Sequence, residues 1–203
     1  MPLPIGHALA GMALQRARPG IFSARRWLDA FVFMFLANLP DADFIPGLLS
    51  GRPNLFHHGA FHSLGAALGV AAIGAGFCCL KKRRLAARAP GRFWAPAAMI
   101  FLLFSSHLPL DLLAMDFVAP FGLPLLWPLS GRYFISAHPL FINITRSPAA
   151  GDFLPSLFNG HNLAAALREV LILGSFFLAA AWLRARAEKS RRTRAETGGV
   201  SGG

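Results

Sequence analysis

Charge is what this chain has least of. Only 14% of its 203 residues are charged against 55% hydrophobic, and the mean hydropathy is +0.49. So apolar a composition excludes an ordinary soluble domain and indicates an integral membrane protein. Cysteine is nearly absent: Cys78 and Cys79 are adjacent in an apolar stretch, which excludes a disulfide framework and leaves them as small apolar filler. Acidic residues are also scarce, nine against twenty Lys and Arg, for a formal charge of +11. That excess does not signify nucleic acid, because the basic residues form three short clusters beside apolar runs, the pattern of the positive-inside rule. The N-terminus has no basic region ahead of its first apolar segment, so it reads as a retained segment and a poor signal peptide.

What remains is a series of apolar segments. Residues 3 to 15 would span roughly 20 Å as a helix and insert only partway into a bilayer. Residues 27 to 39 form a second helix, after which Pro46-Gly47 and Gly51-Arg52-Pro53-Asn54 read as a loop. Residues 64 to 80 carry Gly65, Gly69, Gly74 and Gly76, small residues that let helices approach closely in lipid. Residues 94 to 115 contain Pro109, whose missing donor frees a carbonyl that Ser105 or Ser106 is placed to satisfy. Residues 163 to 183 form the last span. The fold class is therefore all-α: a polytopic helical membrane protein with about four to five membrane-embedded helices and an irregular, Pro-rich outer cap over residues 116 to 162. One domain covers residues 1 to 183, and residues 184 to 203 read as a basic, disordered cytoplasmic tail.

Sixteen of the twenty Lys and Arg residues lie in the three clusters, and Arg52, Arg132, Arg146 and Arg168 fall in the opposite loops. Placing the clusters in the cytoplasm fixes every span's direction. His7 then starts an inward segment, Asp41 and Asp43 end an outward one, His57 and His62 begin an inward one, and His107 and Asp111 lie in the outer half of an outward one. The charge rule says nothing about histidines, so the convergence of four motifs at one membrane face is an independent sign of a single site.

The spacing within the motifs agrees. Three of the seven histidines, His57, His58 and His62, fall within six residues at the mouth of an apolar run. His107 and Asp111 are one helical turn apart on one face. His57 and His62 would diverge by about 140° on a regular helix, so Gly59 is expected to turn the chain. Taken singly, His7 is more often a buried hydrogen-bonded histidine, and Asp41 with Asp43 can simply terminate a helix. An ionisable Asp111 inside an apolar span has no inexpensive structural excuse. Mixed His and Asp ligands suit zinc best, with manganese or iron as alternatives, and seven candidates suffice for two ions. His58, Asp116, His138, Asp152 and His161 sit in outer loops where a solvated surface role is expected.

Gly6-His7, Leu39-Pro40-Asp41-Ala42-Asp43, His57-x-Gly59-x-x-His62-Ser63, Ser106-His107-x-x-x-Asp111 and Gly122-Leu123-Pro124-Leu125-Leu126-Trp127-Pro128 occur here in fixed order. Across residues 5 to 130 this series resembles the LexA-regulated, membrane-bound, metal-dependent hydrolases of bacterial inner membranes. The resemblance implies a metal centre built from His7, Asp41, Asp43, His57, His62, His107 and Asp111. Two positions depart from the pattern: His58 stands where that family has arginine, and Phe61 where it has threonine. An arginine beside a metal is a natural phosphate clamp, a role left here to Arg52 or Arg132.

The expected activity is thus hydrolysis of a phosphoester or lipid-linked substrate at the outer face of the cytoplasmic membrane, with a metal-activated water and Asp43 or Asp111 as proton acceptor. The C-terminus is expected in the cytoplasm. The alternative is a metal-ion or proton transporter using the same residues. Transport requires polar groups through the inner halves of the spans, where residues 69 to 80 and 94 to 104 carry no Asp, Glu, Lys, Arg or His. A helical interaction protein would leave Asp111 unexplained.

Overall fold

The computed structural model describes residues 2–86, 90–117 and 121–198, without side chains at 78–86, 90–93 and 192–198. Cys78, Cys79 and the second basic cluster fall outside the described side chains, and Pro120 outside the described residues.

Pro4 opens α1 (Pro4–Ala17), where its fixed φ suits the first turn and its missing donor costs nothing. α2 (Arg26–Asn38) passes into a 3₁₀ turn at Leu39–Asp43, since Pro40 cannot continue the α ladder. Phe44–Leu49 then forms the short α3. The predicted loop at Pro46-Gly47 is therefore helical, because Pro46 lies in a first turn whose donors are unused. α4 (Leu64–Ala86) and α5 (Pro90–Leu112) form a pair, α6 (Ala150–Ser156) is a short piece of the cap, and α7 (Gly160–Gly198) closes the chain.

Among the described residues, three stretches are long and apolar enough to cross a membrane, Arg26–Leu49, Trp94–Leu112 and Gly160–Arg191, and Leu64–Phe77 is a shorter apolar helix. The chain is an all-helical membrane protein. Phe31, Phe35, Leu68, Ile73, Leu171 and Phe176 face outward. In water that surface would be a liability; against lipid tails it is the correct side to show. α7 continues to Gly198 where the sequence suggested a disordered tail from residue 184. Arg, Ala, Glu and Lys favour helix there, and Arg184 pairs with Glu188 one turn on at 2.9 Å.

α1 packs on α2 and α7, α5 on α2 and α4. Phe33, Ala37, Met99 and Leu103 form the core between α2 and α5, with Leu14 of α1 against it. Gly11 makes the α1–α2 approach possible, since a Cβ there would lie 2.7 Å from the Phe33 carbonyl oxygen. Of the α4 glycines, Gly74 meets the Ile100 side chain of α5 and Gly65 meets the Trp127 carbonyl of the cap. Gly69 and Gly76 meet nothing within 4 Å, so only part of the predicted small-residue stripe is an interface. In α5 the Ser106 hydroxyl donates to the Leu103 carbonyl, and Ser105 Oγ is buried without a hydrogen bond, so neither serine takes the predicted role at Pro109.

At the far end from the histidines, Asp29 is fully buried. It accepts from the backbone N–H groups of Gly20, Phe22 and Ser23 and from Gln15 Nε2, which ties the α1–α2 turn to α2.

Between α5 and α7 the chain is irregular, as its prolines predict. Leu123 and Phe134 exchange backbone hydrogen bonds of 2.9 Å, and the Leu64 N–H donates to the Leu125 carbonyl at 2.9 Å. The Gly122-to-Pro128 motif therefore braces the first turn of α4, immediately beside His62.

Candidate metal centre

Four helix ends supply the site. His7 lies in the second turn of α1, Asp41 and Asp43 in the 3₁₀ turn, His62 just before α4, and His107 and Asp111 in the last turns of α5. Because α1 and α4 run away from this end while α2 and α5 run toward it, residues remote in sequence meet.

Asp111 is the hub. Its Oδ1 lies 3.5 Å from His7 Nε2, and its Oδ2 lies 3.1 Å from His107 Nε2 and 3.4 Å from His62 Nε2. Asp41 Oδ1 lies 3.5 Å from His107 Nε2 and 3.7 Å from His62 Nε2. On the outer side, Asp43 holds His57 through Oδ1 at 3.1 Å and approaches His62 Nδ1 through Oδ2 at 2.9 Å. His62 thus stands between an inner and an outer half of the cluster.

These approaches are close but mostly not hydrogen bonds. The ring nitrogens of His7 and His62, His107 Nε2, Asp43 Oδ2 and both oxygens of Asp41 and Asp111 are buried without a hydrogen-bond partner, the 2.9 Å contact included. Leaving a buried polar atom unsatisfied costs on the order of 1–3 kcal/mol. Divalent cations that accept one lone pair from each of these side chains would remove much of that cost, so the donor set fits a divalent metal. His7, His107 and Asp111 bring one ligand atom each within 4.8 Å of one another, as do Asp41, Asp43, His57 and His62.

The surrounding contacts orient the rings. His107 Nδ1 donates to the Ala37 carbonyl at 2.8 Å, which leaves the Nε2 lone pair toward the cluster. Burial, then the nearby His58, His62 and Arg146, holds His57 well below the ordinary imidazole range. Burial also opposes charge on His62, but contacts with Asp111, Asp41 and Asp43 outweigh it and raise its pKa well above the ordinary value.

All seven predicted residues are brought together. The predicted turn differs in one detail: the left-handed residue is His58, with φ 59°, and not Gly59. His58 and Asp116 also depart from the expected solvated role, since His58 is buried and its Nδ1 lies 3.4 Å from Asp116 Oδ2. His138, Asp152 and His161 are exposed.

Two residues escaped sequence reasoning. Arg146 lies beside the cluster: its guanidinium stands 5.1 Å over the Phe44 ring, which stacks on His57 at 4.0 Å, and its Nε donates to Asn54 Oδ1. Glu169 of α7 is buried and accepts from the Leu3 N–H at 2.8 Å, at the N-terminus of the helix that carries His7. An acidic residue within an apolar span was the available signal for Glu169; Arg146 offered none.

A cleft of about 490 Å³ opens beside the outer half of the cluster. Its lining includes Asp43, His57 and His58 together with Leu55, Phe56, Phe61 and Tyr133.

Residues 1–188 match the family described as YdjM inner membrane protein. No curated protein and no solved structure matches the chain.

Proposed function

The chain belongs to the YdjM inner membrane protein family, and from that premise we propose that it is a metal-dependent hydrolase of the cytoplasmic membrane, acting at the outer face on a phosphoester or lipid-linked substrate. One observation carries the reading: ligand atoms from four separate segments are buried together without hydrogen-bond partners. His7, Asp41, Asp43, His57, His62, His107 and Asp111 would hold the metal, with zinc the best match and manganese or iron alternatives.

A divalent ion in such a site acts as a Lewis acid and brings the pKa of water down toward 7. Asp43 borders the cleft, so its carboxylate is placed to take a proton from an attacking water. Asp111, with a fully buried side chain, serves as the ligand hub. The apolar walls of the cleft suit a lipid chain, and Arg146 beside His57 favours an anionic head group. In this reading the protein is multi-pass with a cytoplasmic C-terminus, and its partners are membrane lipid and a small or lipid-linked substrate.

The test pairs metal content with turnover. The purified chain should carry zinc or manganese and show chelator-sensitive cleavage of lipid phosphoesters in mixed micelles, and a His62→Ala, Asp111→Ala double variant should lose both. Equal metal content in the two proteins would remove the basis of the reading. Ion flux in proteoliposomes that disappears in His107→Ala, with no cleavage of any lipid, would replace it with transport.

A further inference from the structure

His58 and Asp116 stand at the lip of the cluster, outside the seven residues assigned above. His58 adopts φ 59°, a left-handed conformation that is uncommon for a residue with a Cβ. Backbone in that region persists where its surroundings impose it, often at ligand sites. The conformation turns the imidazole inward: the residue is 8% exposed, and its Nε2 is buried without a hydrogen-bond partner. Its other nitrogen, Nδ1, faces Asp116 Oδ2 at 3.4 Å. Asp116 is itself anchored, since Oδ2 accepts from the Gly122 N–H at 2.9 Å.

A carboxylate behind one imidazole nitrogen, with the other nitrogen bare and buried, is the usual support for a histidine that binds a metal. The other ligands are adjacent. One ring nitrogen from each of His57, His58 and His62 lies within 4.8 Å of the others, and the His57 and His58 rings are 4.2 Å apart. The group shares no residue with the inner set of His7, His107 and Asp111, which forms its own trio, and adjoins that set at His62.

We propose that His57, His58 and His62 form a second, outer metal position at the mouth of the cleft, with Asp116 orienting His58. It rests on the metal-dependent reading above and deepens it, because a second ion beside the cleft would make the centre a two-metal site with its outer ion facing substrate. Three imidazoles select a borderline ion such as zinc or cobalt over magnesium or calcium. His58→Asn is the informative variant, since asparagine tolerates the left-handed backbone and removes the imidazole. Asp116→Asn tests the supporting carboxylate without altering size.

The experiment is metal stoichiometry and titration on the full chain in detergent, stripped by chelator and reloaded with zinc or with cobalt, whose absorption reports ligand change. Wild type should hold two zinc ions per chain and His58→Asn one. Asp116→Asn should weaken the outer ion by about 10- to 100-fold. Size-exclusion behaviour and helical content like wild type verify that both variants fold. A wild type that holds one zinc, or a His58→Asn chain that keeps two, overturns the outer position and leaves the hydrolase reading standing. A wild type that binds no metal overturns both.

Discussion

The imidazoles of His7 and His107 lie face to face, ring centroids 3.6 Å apart and planes inclined by 11°, although the residues belong to different helices. Their Nε2 atoms straddle the two oxygens of Asp111, at 3.5 and 3.1 Å. A stacked pair that aims both lone pairs at one carboxylate is a poor use of buried histidine unless an ion takes up those lone pairs. α1, a helix of 14 residues, carries His7 to this pair while packing on α2 and α7.

Metal affinity should rise with pH. His62 is held protonated above its ordinary range in the metal-free protein, so an ion must displace that proton, and acid favours the protonated, metal-free form. Release of one proton gives a slope of about tenfold per pH unit at pH values below the raised pKa of His62, levelling off above it. Competition titrations with a metallochromic chelator between about pH 6 and 8 measure it, and a flat profile would contradict displacement of a proton from His62.

Two glycines should respond oppositely to a side chain. Gly11→Val would drive methyl groups into Phe33 and Ala37 and destabilise the α1–α2 contact, by about 1–3 kcal/mol. Gly69→Ala meets open space and removes a flexible residue from a helix interior, so stability should hold or rise by up to about 1 kcal/mol. Thermal unfolding in one detergent compares them; equal losses would mean that α1 does not pack on α2 as described.

Glu169 should act on the metal through His7. Its Oε1 accepts the Leu3 N–H, and a Cβ on Gly6 would lie 2.7 Å from its Oε2, so the carboxylate fixes the start of α1. Glu169→Gln keeps an acceptor and should retain zinc affinity within about threefold, a small fraction of a typical hydrogen-bond contribution lost. Glu169→Ala should weaken zinc by about tenfold or more, the scale seen when an outer-shell support is lost. Isothermal titration with zinc distinguishes the two; a loss in the Gln variant equal to that in Ala would point to charge in place of position.

Orientation can be read directly. With the basic clusters in the cytoplasm, as proposed, α6 would lie outside, so a periplasm-dependent reporter fused after Asp152 should be active. A reporter that works only in the cytoplasm would invert the whole arrangement, including the face at which the cleft opens.

The apolar runs and the basic clusters were enough to identify the long apolar helices and their order, because lipid requires every backbone group to be satisfied within its own segment. The four-residue step from His107 to Asp111 likewise survives any tertiary arrangement, since it is a property of the helix. His58 shows where such reading stops. On paper it is one loop histidine among several, and its burial depends on a left-handed turn and on Asp116, more than fifty positions away. Arg146 is similar: it comes to the cluster because the cap folds Asn54 and Phe44 against it, contacts that no local spacing encodes.

What the sequence alone determined is the membrane class, the helical elements and a set of His and Asp residues that a consistent topology sends to one end. Periodicity and charge are local quantities, and they suffice for that. Only the tertiary structure decided how those residues divide around His62 into an inner group on Asp111 and an outer one at the cleft, since that division depends on which atom of each ring and carboxylate faces which neighbour. Those directions follow from helix packing at Gly11, the bracing of α4 by the cap and the turn at His58, all contacts between parts of the chain remote in sequence.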